Sequence, residues 1–378
     1  MTTGISDRLA PVLGAQYYPV ARLVHLERVT AGLPMDLIYS RHRQDWNPEL
    51  ADSNPRVYRC GLFKALVHFW NHDYRYIEIP EPLALPVLPH ALLSALLIKL
   101  KNFLKHRDTK IVFYAIENLD QAQKLAATTR VPYVIAAGVI RPLAGAVVRA
   151  THRIAYGTAG TRDNYRNLMG SIVDGGRHTE VRDFEALPSP DPEPVGEKNP
   201  ELVMFLGSFE TRKGIDRVMS AWDSVVRARP SARLIVVGHG PLEPEVLRWA
   251  SAQTISGVSL EVDPPRARIR ELLRAAHCLV LPSVRTPTWR EQVGLPIVEA
   301  LAQGCEIVTT DETGIAAWLA AQGHQVVDVE RLSDSTLSDA IVAALGQTRS
   351  PLEVQASLPQ RDSRLSAELW MFESAAGT

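Results

Sequence analysis

Cysteine is scarce in this chain: there are three, Cys60, Cys278 and Cys305, among 378 residues. None forms a C-x-x-C pair, which excludes the common zinc and dithiol motifs. So sparse a set suits a reducing cytoplasm rather than a disulfide scaffold. An excess of one charge is also lacking. Lys+Arg number 41 and Asp+Glu 42, for a net charge of -1, whereas a nucleic-acid-binding chain would show a basic surplus. The most apolar stretch, 90–104, is broken by Lys99 and Lys101 and falls short of the roughly 20 residues that cross a bilayer. The opening stretch MTTGISDRLAPVLGAQ carries no cleavable signal pattern. No G-x-G-x-x-G follows a strand, which argues against a nicotinamide dehydrogenase. No Asp-x-Asp metal motif and no internal repeat is present.

What is there is an ordinary globular composition, 46% apolar and 22% charged, on a length that suits two domains. The segment LPSPDPEPVGEKNP reads as a linker over 188–200, because recurrent proline removes backbone donors and favours extended chain. It separates a first domain, 1–187, from a second, 201–345, followed by a helical tail, 346–378. The second half alternates sharply. Strands are expected at 202–206, 233–237, 258–262, 278–281, 306–309 and 325–327. Helices are expected at 213–228, 243–252, 266–276, 296–303, 315–322 and 333–345. Short, continuously apolar strands separated by helices mean a parallel sheet covered on both faces. The first half is less regular, with strands expected at 36–39, 76–79, 110–115, 133–136 and 153–157. The helices between them fall at 21–30, 91–105, 119–129 and 161–169. The fold class is therefore α/β, with two doubly wound parallel-sheet domains. The tail helix, 363–376, carries Leu365, Leu369, Trp370 and Phe372 and needs a partner surface, which the first domain can offer.

The informative stretch is 278–310, CLVLPSVRTPTWREQVGLPIVEALAQGCEIVTT. A strand ends at Leu281, a loop follows, and a helix opens at Pro296 and stops before Gly304. Proline just inside a helix and glycine just past it match the capping asymmetry. The loop thus lies at the carboxyl end of a parallel strand, where open α/β sheets bind ligands. Amides of Gly294, Leu295 and Ile297 are expected to point out of the helix start and form a phosphate site. Gly294 lets a ligand approach the backbone closely. Glu291 precedes this point and Glu299 lies one turn inside the helix. Two carboxylates so placed can accept hydrogen bonds from sugar hydroxyls on either side of a phosphate.

LPS…WREQVGLPIVEALAQGCEIVTTD resembles the signature of retaining family-4 glycosyltransferases of the GT-B fold. FLGSFETRKG (205–214) and LIVVGHGPL (234–242) resemble that family's other landmarks, in the same order. The resemblance implies two Rossmann-like domains facing across a cleft whose closure brings donor and acceptor together. It implies transfer of a hexosyl group from a nucleoside-diphosphate sugar to an acceptor hydroxyl with retention. Lys213 and Glu291 are then the catalytic residues. Gly207, Ser208, Arg212, Lys213, Gly238, Glu291, the run Gly294, Leu295, Pro296 and Ile297, and Glu299 bind the donor. Glu291 would hold the transferred sugar, Glu299 the ribose, and Arg212 with Lys213 the diphosphate. With those cations and the helix dipole balancing the charge, no cofactor and no magnesium is expected.

The chain departs from the family pattern in places. Ser208 stands where members often carry arginine. A single glycine, Gly14, stands for the glycine-rich loop of the first domain. The strand 110–115 ends in IENLD, where members often have histidine, so Glu117 and Asn118 join Gly14 as acceptor-side candidates. Two other readings share the fold: a sugar-nucleotide epimerase or hydrolase, and a non-catalytic partner subunit with a donor-like pocket. The acceptor class spans saccharides, lipid-linked sugars and small molecules. Residues 90–107 join leucines to Lys99, Lys101, Lys105, His106 and Arg107 and could lie on an anionic membrane. The expected location is the cytoplasm, free or at the inner face of a membrane.

Overall fold

The computed structural model describes residues 12–31, 33–43, 45–193, 196–252 and 257–372. Expectations for 1–11, for 194–195 within the linker and for the end of the tail, 373–378, lie outside the described residues. The chain forms two compact units. Residues 1–157, 161–184 and 366–378 make the first, and residues 158–160 and 185–365 the second.

The first unit is built on seven strands: β1 (Gly14–Ala21), β2 (Met35–His42), β3 (Val57–Arg59), β4 (Tyr76–Glu78), β5 (Lys110–Ala115), β6 (Arg153–Tyr156) and β7 (Glu180–Asp183). They pair in the order β3-β2-β1-β4-β5-β6-β7, and every pairing is parallel. The second unit holds β8 (Asn199–Leu206), β9 (Arg233–Gly238), β10 (Val258–Val262), β11 (Ala276–Leu281), β12 (Glu306–Thr310) and β13 (Gln325–Val327). Their order is β10-β9-β8-β11-β12-β13, again parallel throughout. Each sheet is a Rossmann-like doubly wound sheet with helices as crossovers. Burial explains the parallel choice. Val203–Phe205 in β8 and all of β12 are buried, side chains on both faces included. Cys278 and Cys305 are buried in and beside these strands.

Several expectations are corrected. Residues 133–136 do not form a strand; they open the helix Tyr133–Ala150. A four-residue apolar run does not distinguish the two states, but Ala136, Ile140, Ala144, Val147 and Val148 continue as one buried helical face. The helix expected from 213 starts at Ile215 instead. Thr211–Lys213 is a separate 3-10 turn, and Gly214 divides the two with φ +76°. The expected linker is fastened to the second unit. Asp191 pairs with Arg270 at 2.6 Å and Glu193 with Arg274, and β8 already begins at Asn199. Proline content reported missing donors, but partners about 80 positions away decided the path. In the tail, residues through 365 belong to the second unit and those from 366 to the first. There Ala367, Met371 and Phe372 pack among Met35, Tyr76, Val112 and Ala155, and Arg153 donates to the Trp370 carbonyl at 2.8 Å.

Candidate active site

In each open sheet one gap separates strands whose crossovers leave in opposite directions, and ligands bind at the carboxyl ends beside that gap. In the second unit the gap lies between β8 and β11. Gly207 and Ser208 follow one strand, Pro282 and Ser283 the other. Glycines allow close backbone approaches here, Gly238 between the ends of β9 and β8 and Gly214 across the gap. A Cβ on Gly238 would lie 1.9 Å from the Gly207 carbonyl oxygen, and one on Gly214 2.3 Å from that of Pro282. Val284 N–H donates to the Arg212 carbonyl at 2.9 Å, so the loops after β8 and β11 are tied by backbone. Gly238 therefore acts by packing, with φ +150°.

This closeness brings together residues far apart in sequence. Lys213 Nζ donates to Glu291 Oε2, and the Ser283 hydroxyl donates to the same oxygen at 3.0 Å. The Lys213 side chain is 14% exposed and that of Glu291 9%. Trp289, set by a two-residue turn between Thr286 and Trp289, lies under both cations. Arg212 Cζ is 4.3 Å and Lys213 Nζ 4.9 Å from its ring centre, a cation–π arrangement. Arg212 is engaged elsewhere as well. Its guanidinium forks onto Glu210 at 2.6 and 2.8 Å, and Ser208 donates to Glu210 at 2.6 Å. The Arg212 guanidinium holds the Glu210 carboxyl below its ordinary range, with burial opposing and Ser208 assisting. The loop's far end is held by buried Glu312, 2.8 Å from Arg290 and 3.4 Å from Arg285.

The helix Leu295–Ala302 starts from Gly294, whose φ is +80°. Its donors are fewer than expected. Ile297 N–H is taken by the Gly294 carbonyl at 2.8 Å and Pro296 has none, which leaves Gly294 and Leu295 to offer amides at this helix start. Glu299 lies on the same helix, 3.8 Å from Arg266 and 43% exposed. Desolvation raises its carboxyl above the ordinary value and Arg266 opposes the shift.

Residues 200–347 match the family model described as Glycosyl transferases group 1. That stretch of the chain is similar to this family. The chain is also similar to the phosphatidyl-myo-inositol mannosyltransferase of Mycobacterium tuberculosis, 25% identical over 266 residues, 65% of this chain and 67% of the relative. It also resembles lipopolysaccharide glucosyltransferase WaaG of Escherichia coli, 28% identical over 154 residues, 40% of this chain and 39% of the relative. Among solved structures, Anabaena Alr3699/HepE in complex with UDP superposes with a TM-score of 0.56 at 13% identity, covering 96% and 95% of the two chains. These matches agree with a GT-B glycosyltransferase fold.

In the first unit the equivalent gap lies between β1 and β4. Gly14 is not there. It opens β1, at the amino edge, where a Cβ would lie 2.3 Å from the Tyr76 carbonyl oxygen, so it is a packing glycine and not an acceptor contact. Glu117 and Asn118 do follow the carboxyl end of β5. Glu117 Oε1 accepts from Leu119 N–H at 3.0 Å, burial raises its carboxyl, and Asn118 is buried. The helix cap beside them is Asp120, which accepts from Ala122 and Gln123 amides at 2.9 and 3.0 Å. Glu81 receives the Ile116 and Glu117 amides and the Tyr165 hydroxyl. Burial and the neighbouring Glu117 push its carboxyl up to about 8.

Further residues at this gap carry no signal in the sequence. Tyr18 donates to Glu78 at 3.0 Å, Gln16 donates to Glu78 at 3.1 Å, and Tyr17 shares a 2.6 Å hydrogen bond with His90. Burial raises the Tyr17 hydroxyl to about 12 and lowers His90, with Arg41 adding to the effect. Nothing in the local pattern of these residues marks them; the pairing of β1 with β4 brings Gln16 and Tyr18 to Glu78, and the helix Leu88–Lys105 brings His90 to Tyr17. Ser283, Trp289 and Glu210 likewise join the site through tertiary contacts, although all three lie within 205–214 or 278–310.

Proposed function

We propose that this glycosyltransferase moves a hexosyl group from a nucleoside-diphosphate sugar to an acceptor hydroxyl, with retention and without a metal. The observation that carries the reading is the meeting of Lys213, Glu291 and Ser283 at the β8–β11 gap, beside the Gly294–Leu295 helix start. A donor diphosphate competes with Glu291 for Lys213, since both are anions. Once displaced, the Glu291 carboxylate accepts hydroxyls of the transferred sugar. Lys213 and the helix-start amides stabilise the leaving diphosphate as charge grows on it. Lys213 serves as a point charge, whereas Arg212, forked onto Glu210, contributes mainly through its positive field. Glu299 holds the ribose of the nucleotide. The departing phosphate assists a same-face substitution, which gives retention. The acceptor is handled by the first unit, where Glu117, Asn118 and the Tyr18–Glu78 pair lie at the carboxyl edge. The enzyme works in the cytoplasm, at the inner membrane face through residues 90–107.

The test is a thermal-shift panel of UDP, GDP, ADP and their sugars, with and without EDTA, followed by transfer assays with product stereochemistry. A ligand that binds only the native state raises the melting temperature. One nucleotide should stabilise the protein whether or not chelator is present, and its sugar should be turned over only with acceptor. Absence of any shift across the panel would sink the donor assignment; loss of turnover with EDTA would sink the metal-free one.

A further inference from the structure

Three helices of the first unit, Leu62–Asn71, Leu88–Lys105 and Tyr133–Ala150, lie side by side. Their inner residues, among them Phe69, Ile98 and Ile140, share one core cluster with the strands, so all three cover the same face of the sheet. Their outer faces are unlike an ordinary surface. On the middle helix Leu93, Leu96, Leu100 and Phe103 are exposed at helical spacing, while the residues turned inward are Ala91, Ser94, Ala95, Ile98 and Lys101. Phe63 and Val67 continue the apolar surface on one side, Val134, Ile135 and Val139 on the other. Phe63, Phe103 and Val134 are each at least 78% exposed. Most exposed large hydrophobic side chains of the described chain lie on these helices. Scattered apolar residues need no explanation, but a contiguous patch of this kind marks a docking surface.

Charge decides what docks. The three helices contain no Asp or Glu, and none occurs in 82–107 or 121–162. Lys64, Lys99, Lys105, Arg141 and Arg149 lie exposed among the apolar side chains. Lys105 is laid over the Trp70 ring, 4.5 Å from its centre. A shallow hollow lined by Ser40, Arg59, Gly61, Leu62, Phe63 and Lys64 joins the patch to the carboxyl edge of β2 and β3, where Arg41, Arg43 and Arg59 are exposed. An apolar face with only cationic charge matches an anionic bilayer, into which apolar side chains sink while lysine and arginine remain at headgroup level. A second copy of the chain is disfavoured, because two such faces would bring like charges together.

We infer that these three helices form one docking face for an anionic lipid bilayer. The inference deepens the proposed membrane contact of residues 90–107, on which it rests, and is independent of the sugar chemistry. It also changes that contact. Lys101, grouped with the membrane-facing cations in the sequence, is buried and donates to the Phe69 and His72 carbonyls, whereas residues 63–67 and 134–143 join the surface.

The test is co-sedimentation of the full chain with phosphatidylglycerol-containing and with pure phosphatidylcholine vesicles. Binding should favour the anionic vesicles and weaken with salt. Lys99→Gln and Arg141→Gln should each cost about fivefold in partitioning to anionic vesicles. Phe103→Glu with Val134→Glu should abolish binding to both. All positions are exposed, so melting temperatures should hold. Equal sedimentation of wild type and variants, or none by wild type, overturns the inference. So does a dimer in sedimentation equilibrium that the double variant dissociates while vesicle binding is unaffected. If vesicle binding behaves as expected but no nucleotide shifts the melting temperature, the donor reading fails and the docking face stands.

Discussion

Lys213 and Glu291, 78 positions apart in the chain, meet as an ion pair at the carboxyl edge of the second sheet. Lys213 is the last residue of a 3-10 turn after β8, and Glu291 lies in the loop after β11. Neither loop positions its partner alone. The pair exists because β8 and β11 are neighbours and because Gly214 lets one loop pass against Pro282.

Glu291→Ala should lower transfer by at least about 100-fold if its contacts to the sugar strengthen in the transition state. The variant should also lose about 1–3 kcal/mol of stability, because Lys213 and Ser283 both lose an acceptor. Glu291→Gln should keep most of the stability and little of the activity. Wild-type turnover in either variant, measured by steady-state kinetics, would remove Glu291 from the mechanism.

Lys213→Ala should weaken nucleoside-diphosphate binding by about tenfold, in line with one charge-assisted contact. Arg212→Ala should cost less, since Glu210 already occupies its guanidinium. Glu210→Ala should do the reverse and tighten binding, because the freed fork can then turn to phosphate. Calorimetric titration of the three variants separates these outcomes; equal losses in the two cation variants would contradict the role given to Glu210.

Gly214→Ala should be destabilising by more than about 1 kcal/mol, through both its positive φ and the approach to Pro282. Donor affinity should fall with it, because the same strain moves Lys213. Gly14→Ala should destabilise comparably, through Tyr76, but leave the acceptor KM unchanged. Chemical denaturation alongside kinetics checks both, and an altered acceptor KM in Gly14→Ala would restore that residue to the acceptor side.

Acid should unfold the second unit partly through Glu306. Burial disfavours its ionised form, but hydrogen bonds from His324 at 2.9 Å and Arg349 at 2.6 Å outweigh burial and hold its carboxyl at about 2, against an ordinary 4.5. A depressed folded-state pKa stabilises above the unfolded value, and that stability is lost as pH falls through the folded one. The window is therefore about pH 4.5 down to about 2, and the loss about 3 kcal/mol. Glu306→Gln should be less stable than wild type at pH 7 and lose less on acidification. Parallel pH–melting curves for the two proteins would remove Glu306 as the source.

The second unit was readable because its elements obey local rules. Its strands are short and buried on both faces, so each is a continuous apolar run, and the expected and observed bounds of 243–252 and 258–262 coincide with Glu243–Ala252 and Val258–Val262. The 278–310 stretch disclosed its strand, loop and helix for the same reason. Where hydrophobic pattern is ambiguous, as at 133–136, the local signal failed, and the packing of the whole Tyr133–Ala150 helix on the sheet decided the state.

By itself the amino-acid sequence determined two α/β halves, the helix start at Gly294 and the residues that crowd around it. Those are properties of short segments, written in residue type and spacing. Tertiary structure alone decided that Arg212 faces Glu210, that Ile297 spends its amide on Gly294, that Gly14 is a packing residue and that Tyr18 meets Glu78. It also decided which side of the 88–105 helix faces outward. Each of these depends on strand order, register or helix rotation, and such choices are made by burial and charge pairing between segments that no single stretch of sequence contains.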